Sequence, residues 1–332
     1  MLFTAWPFIA GTRLRADAFA WYAAALAGPL WFWPLRTLFV MRFGDEAIGL
    51  LPLLLGAVAL LAAVLARSSF QAAQRAMRTT ALAWLSAVAL GFVSVAIPLQ
   101  LEKSWITIGW ALEGVAVLYL WTRLEHVGLK YFGVLLLAAV TVRLVTNPAV
   151  LGYYPRSGWR IVNWLLYTYL VPAAALLGAG AVLRPVEVTR AASWERGIYA
   201  RGLPWGAIGC GLAALVVIFV WLNLAIADWF ATGDTLTVSF ERLPARDLTT
   251  SIVWAVYALV LLGIGMARAS TGLRWVSLGL LIVTIAKVFL HDLGELRDLY
   301  RVASLVGLAI SLLAVSLAYQ RFVFRSPVEE KA

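Results

Sequence analysis

From Pro204 to Ile226 the chain reads PWGAIGCGLAALVVIFVWLNLAI, with no charged residue. A helix rises about 1.5 Å per residue, so about 20 such residues cross the ~30 Å hydrocarbon core of a bilayer. Lipid offers the backbone no hydrogen-bond partner, so a run placed there must satisfy its own N–H and C=O groups, as a helix does. Similar runs recur at about 18–40, 48–65, 81–101, 105–121, 131–150, 162–183, 250–267, 273–290 and 302–319. The class is therefore all-α: a polytopic transmembrane helix bundle of about ten spans. Pro29 and Pro34 predict a kink in the first span. Arg67, Arg75 and Arg78, with Phe70 and Met77, predict a short surface helix after the second.

Composition closes off the soluble alternatives. Of the 332 residues 63% are hydrophobic and only 13% charged, against about 25% charged in a soluble domain. The one cysteine, Cys210, lies in an apolar run and has no internal disulfide partner. With two histidines, His126 and His291, no protein-only metal site of ordinary spacing is expected, and nothing calls for a cofactor. The net charge of +10 does not imply nucleic acid, because the basic residues are dispersed through short loops between apolar runs. Membrane lipids are the expected partners. Residues 1–16 lack a basic segment ahead of their apolar stretch, so a signal peptide is not expected; the stretch is too short to span and is followed at once by Arg13 and Arg15, so it reads as the tail of a truncated helix or an interfacial segment. Residues 17–332 read as one transmembrane helical domain, with an outer loop at 227–249 and an outer turn at 291–301. In the loop, TLTVSF alternates polar and apolar residues, as a short strand or flap would.

Loop charge sets the orientation. Arg13, Arg15, Arg67, Arg75, Arg78, Arg123, Lys130, Arg184, Arg190, Arg196, Arg201, Arg268, Arg274, Arg321, Arg325 and Lys331 fall on one face of the predicted topology. The other face has fewer basic residues and most of the acids, including Asp45, Glu46, Asp228, Asp247 and Asp292. Both termini are thus expected in the cytoplasm. Trp31, Trp33, Trp105, Trp121, Trp159, Trp229 and Trp275 stand near span ends, where tryptophan anchors at the interface. Gly206, Gly209 and Gly211 in GAIGCG predict close helix approach.

Three charges fall inside spans: Glu113, Arg143 and Lys287. Each costs roughly 2.5–3.5 kcal/mol at mid-membrane on the insertion scale. Glu113 and Arg143 lie on consecutive spans and are expected to pair, Arg143 being about 7 Å outward of the midplane. Lys287 lies at a similar depth, and Asn147 is near the outer end. The three charges are read either as an intramembrane cluster that fixes packing or as a polar cavity for a charged ligand. On the outer face, His291 and Asp292 are a weak acid–base candidate, competing with a helix-cap role for Asp292. Asp45 and Glu46 form an acidic pair that could serve an enzyme, although such pairs are mostly just solvated. Arg301 closes the outer turn.

Three stretches carry a family resemblance: KVFLHDLGELRDLYRVASLVGLAISLLAVSLAYQRF, DLTTSIVWAVYALVLLGIG and IPLQLEKSWITIGWALEGVAVLYLWTR. They resemble the bacterial multi-pass membrane proteins known as domain of unknown function twenty-three thirty-nine. The resemblance places Glu113, Lys287, Asp292, Tyr300 and Arg301 in the family's characteristic segments and assigns them no role. Its members are usually longer, so the chain looks like their carboxy-terminal portion, and other membrane subunits are an expected class of partner. The leading functional reading is a non-enzymatic or not yet classifiable inner-membrane component of cell-envelope transport or assembly, with a polar site in the outer half of the bundle. One alternative is a membrane enzyme acting on a lipid-linked envelope substrate from the outer face. The other is a structural scaffold.

Overall fold

The computed structural model describes residues 18–69, 75–124, 126–156, 159–236 and 243–289, with scattered helical positions between 306 and 317. Every described regular element is helical. The α-helices are α1 (Ala18–Phe43), α2 (Leu50–Ser69), α3 (Arg75–Gln100), α4 (Ser104–Leu124) and α5 (Val127–Thr146). They continue with α6 (Trp164–Leu183), α7 (Trp205–Phe230), α8 (Pro244–Ala267) and α9 (Thr271–Lys287). Seven of them, α1 and α3 to α8, are long and apolar enough to cross a membrane. Helix α2 adds a shorter apolar stretch, Leu50–Ala66. The turn at 291–301 lies outside the described residues, as do residues 1–16 and most of TLTVSF.

Helix α1 runs unbroken through Pro29 and Pro34. The expected surface helix has no separate existence on its described residues. Its flanks extend the neighbouring spans instead, with α2 running to Ser69 and α3 beginning at Arg75. The outward faces of the helices are apolar, as in Leu135 and Val142 on α5 and Ile252, Val256 and Leu259 on α8. Water would penalise such surfaces, whereas lipid does not.

Two compact units divide the chain, residues 1–221 and 222–332. In the first, α1, α2 and α3 pack together on small residues: Ala25, Ala62, Ala63, Ala66 and Ala81, with Trp21 and Leu85. Helix α4 packs on both α5 and α6. Its crossing with α5 turns on Gly114 and Gly133. A Cβ on Gly133 would lie 3.0 Å from the Gly114 carbonyl oxygen and 2.7 Å from Leu118 Cγ. Of the three glycines in GAIGCG, only Gly206 meets a close neighbour; a Cβ at Gly209 or Gly211 would meet no described atom within 4 Å. In the second unit α8 packs on α9, and the Trp254 indole donates to Asn223 Oδ1 at 3.0 Å.

Candidate functional site

The two intramembrane charges of the first unit have separate partners. Glu113 is 8% exposed. Its Oε1 lies 2.6 Å from the Ser94 hydroxyl on α3, and the Trp110 indole donates to the Ser94 carbonyl at 3.0 Å. Its Oε2 is buried with no hydrogen-bond partner among the described residues. Arg143 donates from Nε to Thr107 Oγ1 at 3.1 Å and from Nη2 to Tyr153 Oη at 3.0 Å. Asn147 Nδ2 also reaches the Tyr153 hydroxyl, at 3.4 Å. The expected Glu113–Arg143 ion pair is therefore not formed. The cause is helical phase: Thr107 and Glu113 are six positions apart on α4, and at about 100° per residue they face different neighbours. Glu113 faces α3, while Arg143 is met by Thr107.

Arg143 sits in the last turn of α5, where cations are favoured by the helix dipole. Two bonds order that end. Tyr169 of α6 donates to the Leu144 carbonyl at 3.1 Å, and Asn147 Oδ1 accepts from the Ala149 N–H at 3.0 Å. The guanidinium is held by neutral oxygens, and among the described residues it has no acidic partner. Five N–H donors and two such bonds leave donor capacity for an anion.

Lys287 belongs to the second unit, in the last turn of α9. Its ammonium donates to the Asp247 carbonyl at 3.0 Å and to Ser251 Oγ at 2.8 Å, both on the first turns of α8. Asp45 and Glu46 stand exposed in the turn between α1 and α2. Gln100 ties that turn to α3 through the backbone: its Nε2 donates to the Glu46 carbonyl at 3.0 Å, and its Oε1 accepts from the Gly49 N–H at 3.1 Å. His291, Asp292 and Arg301 lie outside the described residues.

A densely bonded group of ionisable side chains among the described residues centres on Lys130, Glu187 and Glu195, which the sequence reading does not single out. Lys130, near the start of α5, is 3% exposed and forms an ion pair with the fully buried Glu195. Tyr131 also donates to Glu195, and the Ala192 N–H donates to its other oxygen at 2.7 Å. The rings of Trp121, Tyr131 and Tyr199 lie 5.7, 5.1 and 5.2 Å from the ammonium. Glu187, 1% exposed, accepts from Tyr199 at 2.7 Å and from the Gly206 and Ala207 N–H groups at 2.7 and 3.0 Å. A carboxylate on the free N–H groups at the start of α7 is what helix capping and the helix dipole favour. Burial alone would raise the Glu195 pKa. The hydrogen bonds from Lys130, Tyr131 and the Ala192 N–H, with the Lys130 charge, hold it below the usual carboxylate range. Burial and the bond to Glu187 push the Tyr199 hydroxyl above its usual value. With Lys130, Glu187 and Glu195 buried, the group docks the 184–203 segment onto α4, α5 and α7. The available signal was two glutamates in a loop otherwise rich in arginine.

No curated protein and no solved structure matches the chain. A family profile does, in two overlapping segments covering residues 1–155 and 133–322. The match takes in the three stretches that carry the resemblance, and most of the chain besides. The chain belongs to DUF2339, a family described as predicted membrane proteins.

Proposed function

We propose that the chain is a multi-pass component of the bacterial inner membrane, with about ten spans and both termini in the cytoplasm. It acts in cell-envelope transport or assembly, through a polar site in the outer half of the bundle that receives an anionic group. The observation that carries this reading is Arg143, whose guanidinium is supported by Thr107 and Tyr153 and has no acidic partner among the described residues. A cation held at membrane depth by neutral oxygens alone is costly, and ionisable groups kept there commonly serve binding or transport. The alternative of a packing cluster predicts the opposite balance between abundance and activity.

The test is complementation of an envelope defect caused by loss of the gene. Arg143→Gln keeps hydrogen bonding and removes the charge, so it leaves the protein abundant and abolishes rescue, while Arg143→Lys restores part of it. Full rescue by Arg143→Gln, or loss of the protein from the membrane, sinks the reading. Orientation is checked with cysteines introduced at Ser69 and Asp298, the native Cys210 being buried. Labelling of residue 298 from the cytoplasmic side overturns the topology.

A further inference from the structure

The segment between α6 and α7 separates its charges by sign. It contains Arg184, Arg190, Arg196 and Arg201, and two acids, Glu187 and Glu195. Both acids are buried, at 1% and 0% exposure, on the partners described above. Arg184, Arg196 and Arg201 are exposed, and none forms an ion pair among the described residues. Arg190 is drawn back to the Thr122 carbonyl at the end of α4. Trp194 and Ile198 of the segment and Trp205 just after it are also exposed, at 61%, 56% and 46%.

This is not a slack loop. Successive turns are hydrogen bonded, Glu187 N–H to the Leu183 carbonyl at 2.9 Å and Gly202 N–H to the Tyr199 carbonyl at 2.8 Å. Trp194 is propped against Tyr131 with ring centroids 5.5 Å apart, and the Trp205 indole donates to the Ile198 carbonyl at 3.2 Å. The exposed apolar groups are thus held outward by the framework that swallows the acids. The segment joins the ends of two helices long enough to span, so it stands at a membrane boundary. A basic surface studded with tryptophan and isoleucine, at that level, matches an anionic lipid–water interface in charge and polarity.

We propose that residues 184–203 form an interfacial collar that retains anionic phospholipids, with headgroups on Arg184, Arg196 and Arg201 and with Trp194 and Ile198 seated in the acyl boundary. The collar stands apart from the Arg143 site and does not depend on it.

The test uses the full chain in detergent, titrated with phosphatidylglycerol or phosphatidylcholine and read by native mass spectrometry. Wild-type protein retains phosphatidylglycerol in preference to phosphatidylcholine. The triple variant Arg184→Gln, Arg196→Gln, Arg201→Gln weakens that retention by roughly fivefold per arginine, on the order of a hundredfold in all. The triple lysine variant keeps it. If the glutamine variant fails to accumulate, wild-type protein still decides, because retention through exposed arginines falls as salt rises from about 0.1 to 1 M and the Debye length shrinks from ~10 to ~3 Å. Equal retention of the two lipids, salt-independent retention, or undiminished binding in the glutamine variant overturns the proposal.

Discussion

Lys130 and Glu195 are 65 positions apart in sequence and form a buried ion pair in which three aromatic rings surround the ammonium. Replacing a whole buried pair with apolar groups is often neutral, but removing one partner strands the other charge, at a cost of about 3–5 kcal/mol. Lys130→Met and Glu195→Gln should each lower the unfolding temperature in detergent markedly. The double variant should be more stable than the sum of the two losses implies. A double-mutant cycle that adds without coupling would show that the pair is not a unit.

The same group predicts a pH dependence. Glu195 is held below the ordinary carboxylate range despite burial, by its hydrogen bonds and the Lys130 charge. A depressed carboxyl contributes stability above its unfolded value of about 4.3 and loses it as pH falls through the folded value. Wild-type protein should therefore lose stability on the acid side more steeply than Glu195→Gln. Tyr199 is shifted the other way, by burial and the Glu187 bond. Its contribution is present below about 10 and fades as pH rises through the folded value, so Tyr199→Phe should flatten the alkaline limb. Thermal unfolding from pH 3 to pH 11 reads both limbs.

Seven of the ten expected spans coincide with described helices long and apolar enough to cross a membrane, legible because lipid leaves the backbone so few options; α4, for example, begins and ends within three residues of the expected 105–121. The site was less legible. Sequence gives a residue's depth in the membrane but not which neighbour its helix turns it toward, so Glu113 and Arg143 looked paired and are not. Lys130 looked like one more loop charge because it stands at the edge of a span, and its partner arrives from a distant turn. Gly209 and Gly211 looked like a packing motif because of their spacing, yet contact at the α4–α5 crossing falls to Gly114 and Gly133, which share no local pattern.

That crossing gives a direct comparison. Gly133→Ala puts a methyl group 2.7 Å from Leu118 Cγ and 3.0 Å from a backbone oxygen that cannot move aside cheaply. Overpacking of this kind costs about 1–3 kcal/mol. Gly209→Ala and Gly211→Ala enter open space within α7 and gain helix propensity, up to about 1 kcal/mol each. The expected order of unfolding temperatures is Gly133→Ala below wild type, and the two α7 variants at or above it. Equal effects at the three positions would show that the α4–α5 contact is looser than described.

Glu113 supplies a final prediction through a count of protons. Ser94 Oγ lies 3.2 Å from the Leu90 carbonyl and 2.6 Å from Glu113 Oε1. A hydroxyl has one proton and cannot serve both acceptors. In Glu113→Gln the amide N–H can donate to Ser94 Oγ, which frees the hydroxyl proton for Leu90, and a neutral amide oxygen takes the place of the unpartnered Oε2. The variant should be as stable as wild type, or more so. Ser94→Ala removes the carboxyl's one hydrogen-bond partner among the described residues, beside an oxygen that has none among them, and should cost about 1–3 kcal/mol. Combining them should recover little, since the glutamine amide then lacks its acceptor. Unfolding measurements on the three variants separate this network from the Arg143 site, because Arg143 shares no hydrogen-bond partner with Glu113 or Ser94. A large loss in Glu113→Gln would mean that the negative charge itself is needed at this depth.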